Sequence, residues 1–379
     1  MRIGLLITSI GDFGKKGFYN AQEIGLAKAL DSLVDEVKVY KLVSADMENS
    51  IEAIEGCRNS KIQYIPANKI GANGMPSMKM LDSSLDILVF FSDTQLAVPS
   101  VYRWAVRNKI YFFPYIGVAE SHSTNRAKQI VMDFLFRRNI KVYRECRCLV
   151  KSPAVGMQLK QQGVERVTIA PVGLDVSILH EDYEKCDPVM LKRKHGYQQN
   201  DKILLFIGRL TEEKQPIKMI QIYADIAKKD ARYKLLMVGM GELKDEIIQC
   251  IDELGVSRGI RLIDRISNCD IWELYRFADA FVNLNQQEIF GMAILEAMYY
   301  GCKVVAWKAP GPDFIIKDGI SGFLVDSDDR AVDLVLNGEI DSVSAHKRVM
   351  DCFTWDNAAN KIVTLTDGAN ERSTISGTE

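Results

Sequence analysis

The chain has 379 residues, 47% of them hydrophobic and 26% charged, with a formal net charge of −2. That length exceeds one comfortable hydrophobic core and predicts two domains, while the near-neutral balance argues against general nucleic-acid binding. The eight cysteines form no CxxC pair, and Cys146 and Cys148 would point to opposite faces of a strand, so reduced thiols and a cytoplasmic location are expected.

The opening run in MRIGLLITSIGDFG reads as a buried strand entering a glycine-rich loop, too short for the core of a signal peptide. No apolar run approaches the ~18 residues of a membrane span. Short apolar runs then alternate with amphipathic helical stretches, the pattern of α/β proteins with parallel sheets. In the first half, strands are predicted at Ile3–Thr8, Val37–Lys41, Ile62–Ile65, Ile87–Phe91, Ile110–Pro114, Cys148–Lys151 and Val167–Ala170. The cycle restarts with Lys202–Ile207, Tyr233–Val238, Ile260–Leu262, Ala280–Leu284, Lys303–Ala306 and Gly322–Val325. A polar, weakly periodic stretch separates the halves. The expected division is a first domain over 1–175, a linker over 176–199, and a second domain over 200–354. A terminal helix near 355–366 is expected to pack back on the first domain, and 367–379 reads as a disordered tail. Two doubly wound units facing each other across a cleft would hold ligands at the carboxyl ends of their strands.

Chemistry concentrates in the second half. Arg209 leaves the strand Lys202–Ile207 at its carboxyl end, and Lys214 follows near the start of the next helix. A guanidinium fork and an ammonium converging there suit a diphosphate; the alternative is a pair of surface cations neutralised by Glu212 and Glu213. The Gly239-Met240-Gly241 turn fits either a ligand contact or a tight strand-to-helix connection. After Leu262-Ile263, the loop holding Arg265 and Ile266 offers groups where a base would dock. In QQEIFGMAILEAMYYG, Glu288 falls on a loop and Glu296 about two turns into a helix that starts near Phe290, Gly291 and Met292. Free N–H groups and the positive dipole end at a helix start bind an anion such as phosphate, and a carboxylate on each side would accept from sugar hydroxyls. Asp326-Ser327-Asp328 has the DxD spacing of a metal site but reads as a solvated turn.

The succession GR…EK, VGxGE, LYRFADAFVN, ExFGxxxLEAMxxG and PGPDFI…GFLV resembles the retaining glycosyltransferases of family 4, strongly over about 202–326 and more weakly before it. Val172 departs from the asparagine usual in that family's turn before Leu174-Asp175. The resemblance implies the GT-B fold and transfer of a sugar from a nucleotide-diphosphate donor, a UDP-sugar being expected, to a hydroxyl of a glycan or lipid-linked acceptor. It gives Arg209 and Lys214 the donor diphosphate, Glu296 the ribose hydroxyls, and Glu288 a place beside the transferred sugar. The amides of Phe290, Gly291 and Met292 then contact sugar or phosphate, and Arg265 and Ile266 meet the base. No cofactor and no metal are required. In the first half it places His122 near the transferred sugar, with Glu120 or Ser121 sharing that position, and the loop of Gly11, Gly14 and Gly17 close to the donor. A nucleotide-sugar epimerase of the same architecture and a non-catalytic glycan-assembly subunit are the rival readings.

The stretch from Arg126 to Lys151 carries eight Lys/Arg against Asp133 and Glu145, interleaved with Ile130, Val131, Phe134, Leu135 and Phe136. Such a stretch lies on an anionic leaflet, making the protein peripheral to the membrane, or packs on the core with a solvated basic face.

Overall fold

The computed structural model describes residues 1–10, 21–71, 73–118 and 126–375. Its contacts divide the chain into one unit of Met1–Asp175 with Thr354–Glu379 and a second of Val176–Phe353.

The first unit is built on β1 (Arg2–Ile7), α1 (Gln22–Asp31), β2 (Glu36–Ser44), β3 (Ser50–Ala53) and β4 (Ser60–Ala67). There follow the two-residue strands β5 (Lys69–Ile70) and β6 (Asn73–Gly74), then β7 (Ile87–Phe91), α2 (Val98–Arg107) and β8 (Tyr111–Ile116). The unit continues with α3 (Arg126–Tyr143), β9 (Cys148–Val150), α4 (Pro153–Gln161) and β10 (Val167–Ile169). The eight-stranded sheet runs β10-β9-β8-β7-β1-β2-β4-β3, parallel except for the edge pair of β3 with β4. Strands such as ILVFF in β7 are apolar on both faces because helices cover both sides of a parallel sheet. Ser152 shows how a helix start is written in sequence: its side chain caps α4 at Val155 N, with Pro153 in the first turn.

The terminal helix Trp355–Ile375 belongs to this unit. Its first residue, Trp355, is 2% exposed and lies against α1, where a Cβ on Gly25 would fall 2.2 Å from the indole Nε1. Trp355 N also donates to Leu174 O at 3.3 Å. The helix continues through Ile375, into the stretch expected as a tail from 367, of which 376–379 lie outside the described residues: once a docked first turn is formed, each further residue adds a hydrogen bond without a new nucleus.

The second unit contains α5 (Pro188–Lys194), β11 (Lys202–Ile207), α6 (Pro216–Lys229), β12 (Tyr233–Val238), α7 (Lys244–Glu253), β13 (Ile260–Ile263) and α8 (Ile271–Phe277). It ends with β14 (Ala280–Asn283), α9 (Met292–Tyr299), β15 (Val304–Trp307), α10 (Pro310–Ile315), β16 (Phe323–Val325), α11 (Asp328–Asn337) and α12 (Ser342–Cys352). Six strands lie in the order β13-β12-β11-β14-β15-β16, all parallel. Met219, Ile220, Tyr223 and Ile226 bury one stripe of α6, the spacing that the 3.6-residue period requires.

The segment 176–199, expected as a linker, is a packed part of this unit. Glu273 of α8, 5% exposed, accepts from Lys194 at 2.6 Å and pairs with His195 Nε2 at 2.8 Å. Those neighbours hold its carboxyl below the usual range against the opposing effect of burial. The charges that made this stretch look solvated are what fasten it to α8.

Candidate active site

In the second unit the chain moves outward from β11 to β12 and β13, then returns to the other side of β11 with β14. The loops leaving β11 and β14 therefore start out in opposite directions, the kind of divergence at the carboxyl edge where open α/β sheets bind ligands. Arg209 and Lys214 sit on one loop and Glu288 on the other.

The structure joins two of them directly. Lys214 Nζ donates to Glu288 Oε2 at 2.7 Å. The same oxygen accepts from Asn283 Nδ2 at 3.3 Å and Asn285 Nδ2 at 3.2 Å. Three donors on one carboxylate oxygen fix its position, and the pair is mostly shielded, with side chains 23% and 14% exposed. Lys214 closes a short 3-10 turn, Glu212–Lys214; Gln215 follows in the left-handed region at φ 54° and hands the chain to Pro216 at the start of α6. Arg209 is different. It is 70% exposed and pairs with Glu213 at 2.6 Å, so one of the two cations matches the expected surface neutralisation and the other does not.

Glu288 is followed by Ile289, Phe290 and Gly291, which caps α9 at φ 103°. Ile294 N and Leu295 N both donate to Gly291 O. As at any helix start, the preceding N–H groups have no intrahelical acceptor. Helix α10 clamps the loop from the far side: Gly311 N donates to Glu288 O at 2.8 Å, and a Cβ on Gly311 would lie 2.3 Å from Phe290 O. Phe290 stands edge-on to Phe353 at 6.3 Å; Met292 is half-buried.

Glu296 lies in the second turn of α9, 6% exposed. Burial pushes its carboxyl up to about 7, against the opposing effect of the Tyr275 hydroxyl, which donates to Oε2 at 3.0 Å. Tyr275 comes from α8. Its ring lies nearly parallel to that of Tyr300, 6.1 Å away, and edge-on to Phe281 at 5.7 Å.

Arg265 and Ile266 follow β13, at the same edge of the sheet but two strands from β11. Arg265 is exposed and Ile266 half-buried; the adjacent Asp264 pairs with Lys244. The Gly239-Met240-Gly241 turn proves to be a packing device. A Cβ on Gly239 would fall 1.8 Å from Gly208 O, and one on Gly241 2.2 Å from Leu210 O. The β12 loop lies directly on the β11 loop, bonded by Leu210 N to Met240 O at 2.9 Å and Leu243 N to Leu210 O at 3.1 Å. Asp326-Ser327-Asp328 is likewise structural: Ser327 caps α11, while the two aspartates pair with Lys308 and Lys218.

In the first unit, Gly11, Gly14, Gly17 and His122, with Glu120 and Ser121, lie outside the described residues. The corresponding divergence there is between β1 and β7. Thr8 Oγ1 donates to Gln95 Oε1 across it at 2.9 Å. Asp93 Oδ1 accepts from Gly117 N at 2.6 Å and Val118 N at 3.2 Å. The sequence did not single out Thr8, Asp93 or Gln95; an Asp or Gln two to four residues beyond an apolar strand was the available signal.

Helix α3 packs one side on the core and leaves large apolar residues exposed on another. Phe136, Ile140, Val142 and Tyr143 are buried, whereas Ile130, Val131 and Phe134 are 63%, 57% and 66% exposed. Arg138 is tied down by the Leu96 carbonyl at 2.7 Å; Arg126, Arg137 and Lys141 are exposed. Among the described residues no helix is long and apolar enough to cross a membrane.

Residues 190–347 match the family described as glycosyl transferases group 1. An uncharacterized glycosyltransferase of Methanocaldococcus jannaschii is 30% identical over 206 residues, covering 52% of this chain and 51% of its own length. The D-inositol 3-phosphate glycosyltransferase of Frankia alni is 28% identical over 176 residues, or 44% of this chain and 42% of that protein. The chain thus spans about half the length of the curated relatives it matches. Among solved structures, Anabaena HepE in complex with UDP-glucose superposes with a TM-score of 0.69 at 17% identity, covering 97% of this chain and 100% of that one. The sucrose-phosphate synthase of Thermosynechococcus elongatus gives 0.70 at 15% identity, covering 98% and 99%. At such identities the likeness is one of fold, the two doubly wound units of GT-B proteins. Residues 190–347, the part of the chain that resembles the group 1 glycosyl transferases, hold the Lys214–Glu288 pair and the start of α9.

Proposed function

We propose that this protein is a retaining glycosyltransferase that moves a sugar from a nucleotide-diphosphate donor to a hydroxyl of a glycan or lipid-linked acceptor. The observation that carries this is the site at the β11/β14 divergence: Lys214 and Glu288 joined at 2.7 Å, beside the amides of α9, with Glu296 in the second turn of that helix. Breaking the bond from the anomeric carbon to the diphosphate leaves the electron pair on phosphate oxygen. Preorganised positive groups stabilise that charge: Lys214, Arg209 once released from Glu213, and the N–H groups at the helix start. The acceptor oxygen forms the new bond to the anomeric carbon, and its proton passes to the departing phosphate. Positive charge comes from the chain itself, so the reading includes no metal. Glu288 accepts from the sugar and Glu296 from the ribose, while Arg265 and Ile266 adjoin the base.

A UDP-sugar is the donor to test first, supported by the UDP-glucose in the fold neighbour. Incubating the protein with UDP-sugars and glycan or lipid-linked acceptors should release UDP in an acceptor-dependent manner. Arg209→Ala or Lys214→Ala should each slow transfer by roughly 30- to 1000-fold, the equivalent of about 2–4 kcal/mol of lost charge stabilisation. Unchanged turnover in both variants would remove the assignment; isomerised donor without UDP release would indicate an epimerase instead.

The proposal extends to location, the cytoplasmic face of a membrane. Ile130, Val131 and Phe134 form an exposed apolar patch on α3 flanked by Arg126, Arg137 and Lys141, a face suited to an anionic bilayer. Vesicles containing phosphatidylglycerol should retain the native protein at low salt and release the Phe134→Asp variant. Equal retention of both, or none of either, would contradict the docking.

A further inference from the structure

We infer that Tyr275 is a positioning residue for donor binding: its hydroxyl anchors Oε2 of Glu296, leaving the other carboxylate oxygen to accept from the ribose. The inference rests on the reading of Glu296 given above.

The geometry is specific. Tyr275 is 1% exposed and donates to Glu296 Oε2 at 3.0 Å. Its ring cannot turn freely, because it is stacked along Tyr300 with an interplanar angle of 13° and meets Phe281 edge-on. Tyr300 is fixed in turn: Tyr300 N donates to Glu296 O at 3.1 Å, and its hydroxyl accepts from His180 N at 3.2 Å. A carboxylate on a helix rotates about three side-chain bonds, and holding it in one rotamer before the ligand arrives reduces the ordering cost of binding. The tyrosine also acts on charge. A donor to the ionised form favours that form, and here it opposes the upward pressure of burial. Among the described residues, the ionisable groups that bear on Glu296 are Tyr275, from α8, and Tyr300, at the end of its own helix. His346, from α12, turns Nδ1 to the Tyr299 carbonyl and the Tyr183 hydroxyl instead.

Tyr275→Phe keeps the ring and its stacking and removes only the hydroxyl. The test is calorimetric binding of UDP, and of inorganic pyrophosphate, to the full chain from pH 5.5 to 9. Native protein should lose UDP affinity as pH falls through about 7 and Glu296 is protonated. In Tyr275→Phe that fall should move to higher pH by about one unit, with UDP bound about fivefold more weakly at pH 7. Pyrophosphate, which has no ribose, should bind both proteins alike. If Tyr275→Phe follows the native UDP curve while Glu296→Gln weakens UDP, the role of Tyr275 is overturned and that of Glu296 stands. If Glu296→Gln binds UDP as the native protein does at every pH, the ribose assignment falls and this inference with it. Weakened pyrophosphate binding in Tyr275→Phe would mark a general structural effect and overturn the positioning role.

Discussion

Replacing Glu296 by glutamine separates what this carboxylate does for binding from what it costs the fold. The residue is 6% exposed, and burial raises its carboxyl from the ordinary 4.5 to about 7. A carboxyl with a higher value in the folded than in the unfolded state destabilises the fold only where it must ionise. Below about pH 4.5 it is neutral in both states and costs nothing. Between 4.5 and 7 the unfolded chain ionises first and the penalty grows, and above 7 it is complete. At ~1.4 kcal/mol per tenfold change in proton affinity, the full penalty is about 3 kcal/mol. Glutamine has nearly the same shape, carries no charge, and still offers Tyr275 an acceptor oxygen. Glu296→Gln is therefore expected to be about 3 kcal/mol more stable than the native protein at pH 8, and less than about 1 kcal/mol more stable at pH 5. A domain of this size shifts its midpoint by roughly 2–4 °C per kcal/mol, so scanning calorimetry should show the transition of the second unit rising by about 6–12 °C at pH 8. Midpoints that coincide at pH 8, or an equal rise at both pH values, would refute the reasoning.

Other perturbations reach different parts of the structure. Glu213→Gln frees Arg209 from an exposed pair of the kind that contributes at most about 1 kcal/mol, so kcat should rise by up to about fivefold; a lower kcat would show that Glu213 helps the site rather than competing for it. Gly239→Ala places a Cβ 1.8 Å from Gly208 O. Forcing the two loops apart should cost at least about 1–3 kcal/mol, read by denaturant unfolding, and should weaken UDP binding; an unperturbed midpoint would show that the loops relax freely. Gly25→Ala directs a methyl into Trp355. The expected loss is about 1–3 kcal/mol with faster proteolysis of the terminal helix, and native resistance to protease would contradict the docking described.

The strands were legible because parallel strands buried on both faces leave uninterrupted apolar runs, and every run predicted has its counterpart. What stayed hidden shares a different cause. Strand β3, SIEA, is exposed at all four positions, so no burial pattern marks it. The segment around His195 looked like a solvated linker because its charges are satisfied by Glu273, a residue far along the chain that composition cannot pair with it. The stretch from 367 lacks large apolar residues except Ile375, yet as far as Ile375 it prolongs a helix whose docking is decided earlier, at Trp355, Ala358, Ala359 and Ile362, all buried.

Among the candidate site residues, spacing singled out Lys214, Glu288 and Glu296 but not their relations. The sequence offered Arg209 and Lys214 as equal partners for one anion. The structure separates them, with Lys214 shielded on Glu288 and Arg209 exposed on Glu213. An ammonium held at 2.7 Å from a carboxylate is neutralised but fixed in place, and under the proposed function a diphosphate entering there would meet a preformed geometry. Arg209, on a flexible and solvated side chain, exchanges one anion for another at small cost. The two cations are thus suited to different moments, one to define where the leaving group sits and the other to close upon it. If so, Lys214→Ala should weaken the binding of UDP itself, whereas Arg209→Ala should chiefly lower kcat. Equal effects of the two substitutions on binding and turnover would return them to the single undivided role that spacing suggested.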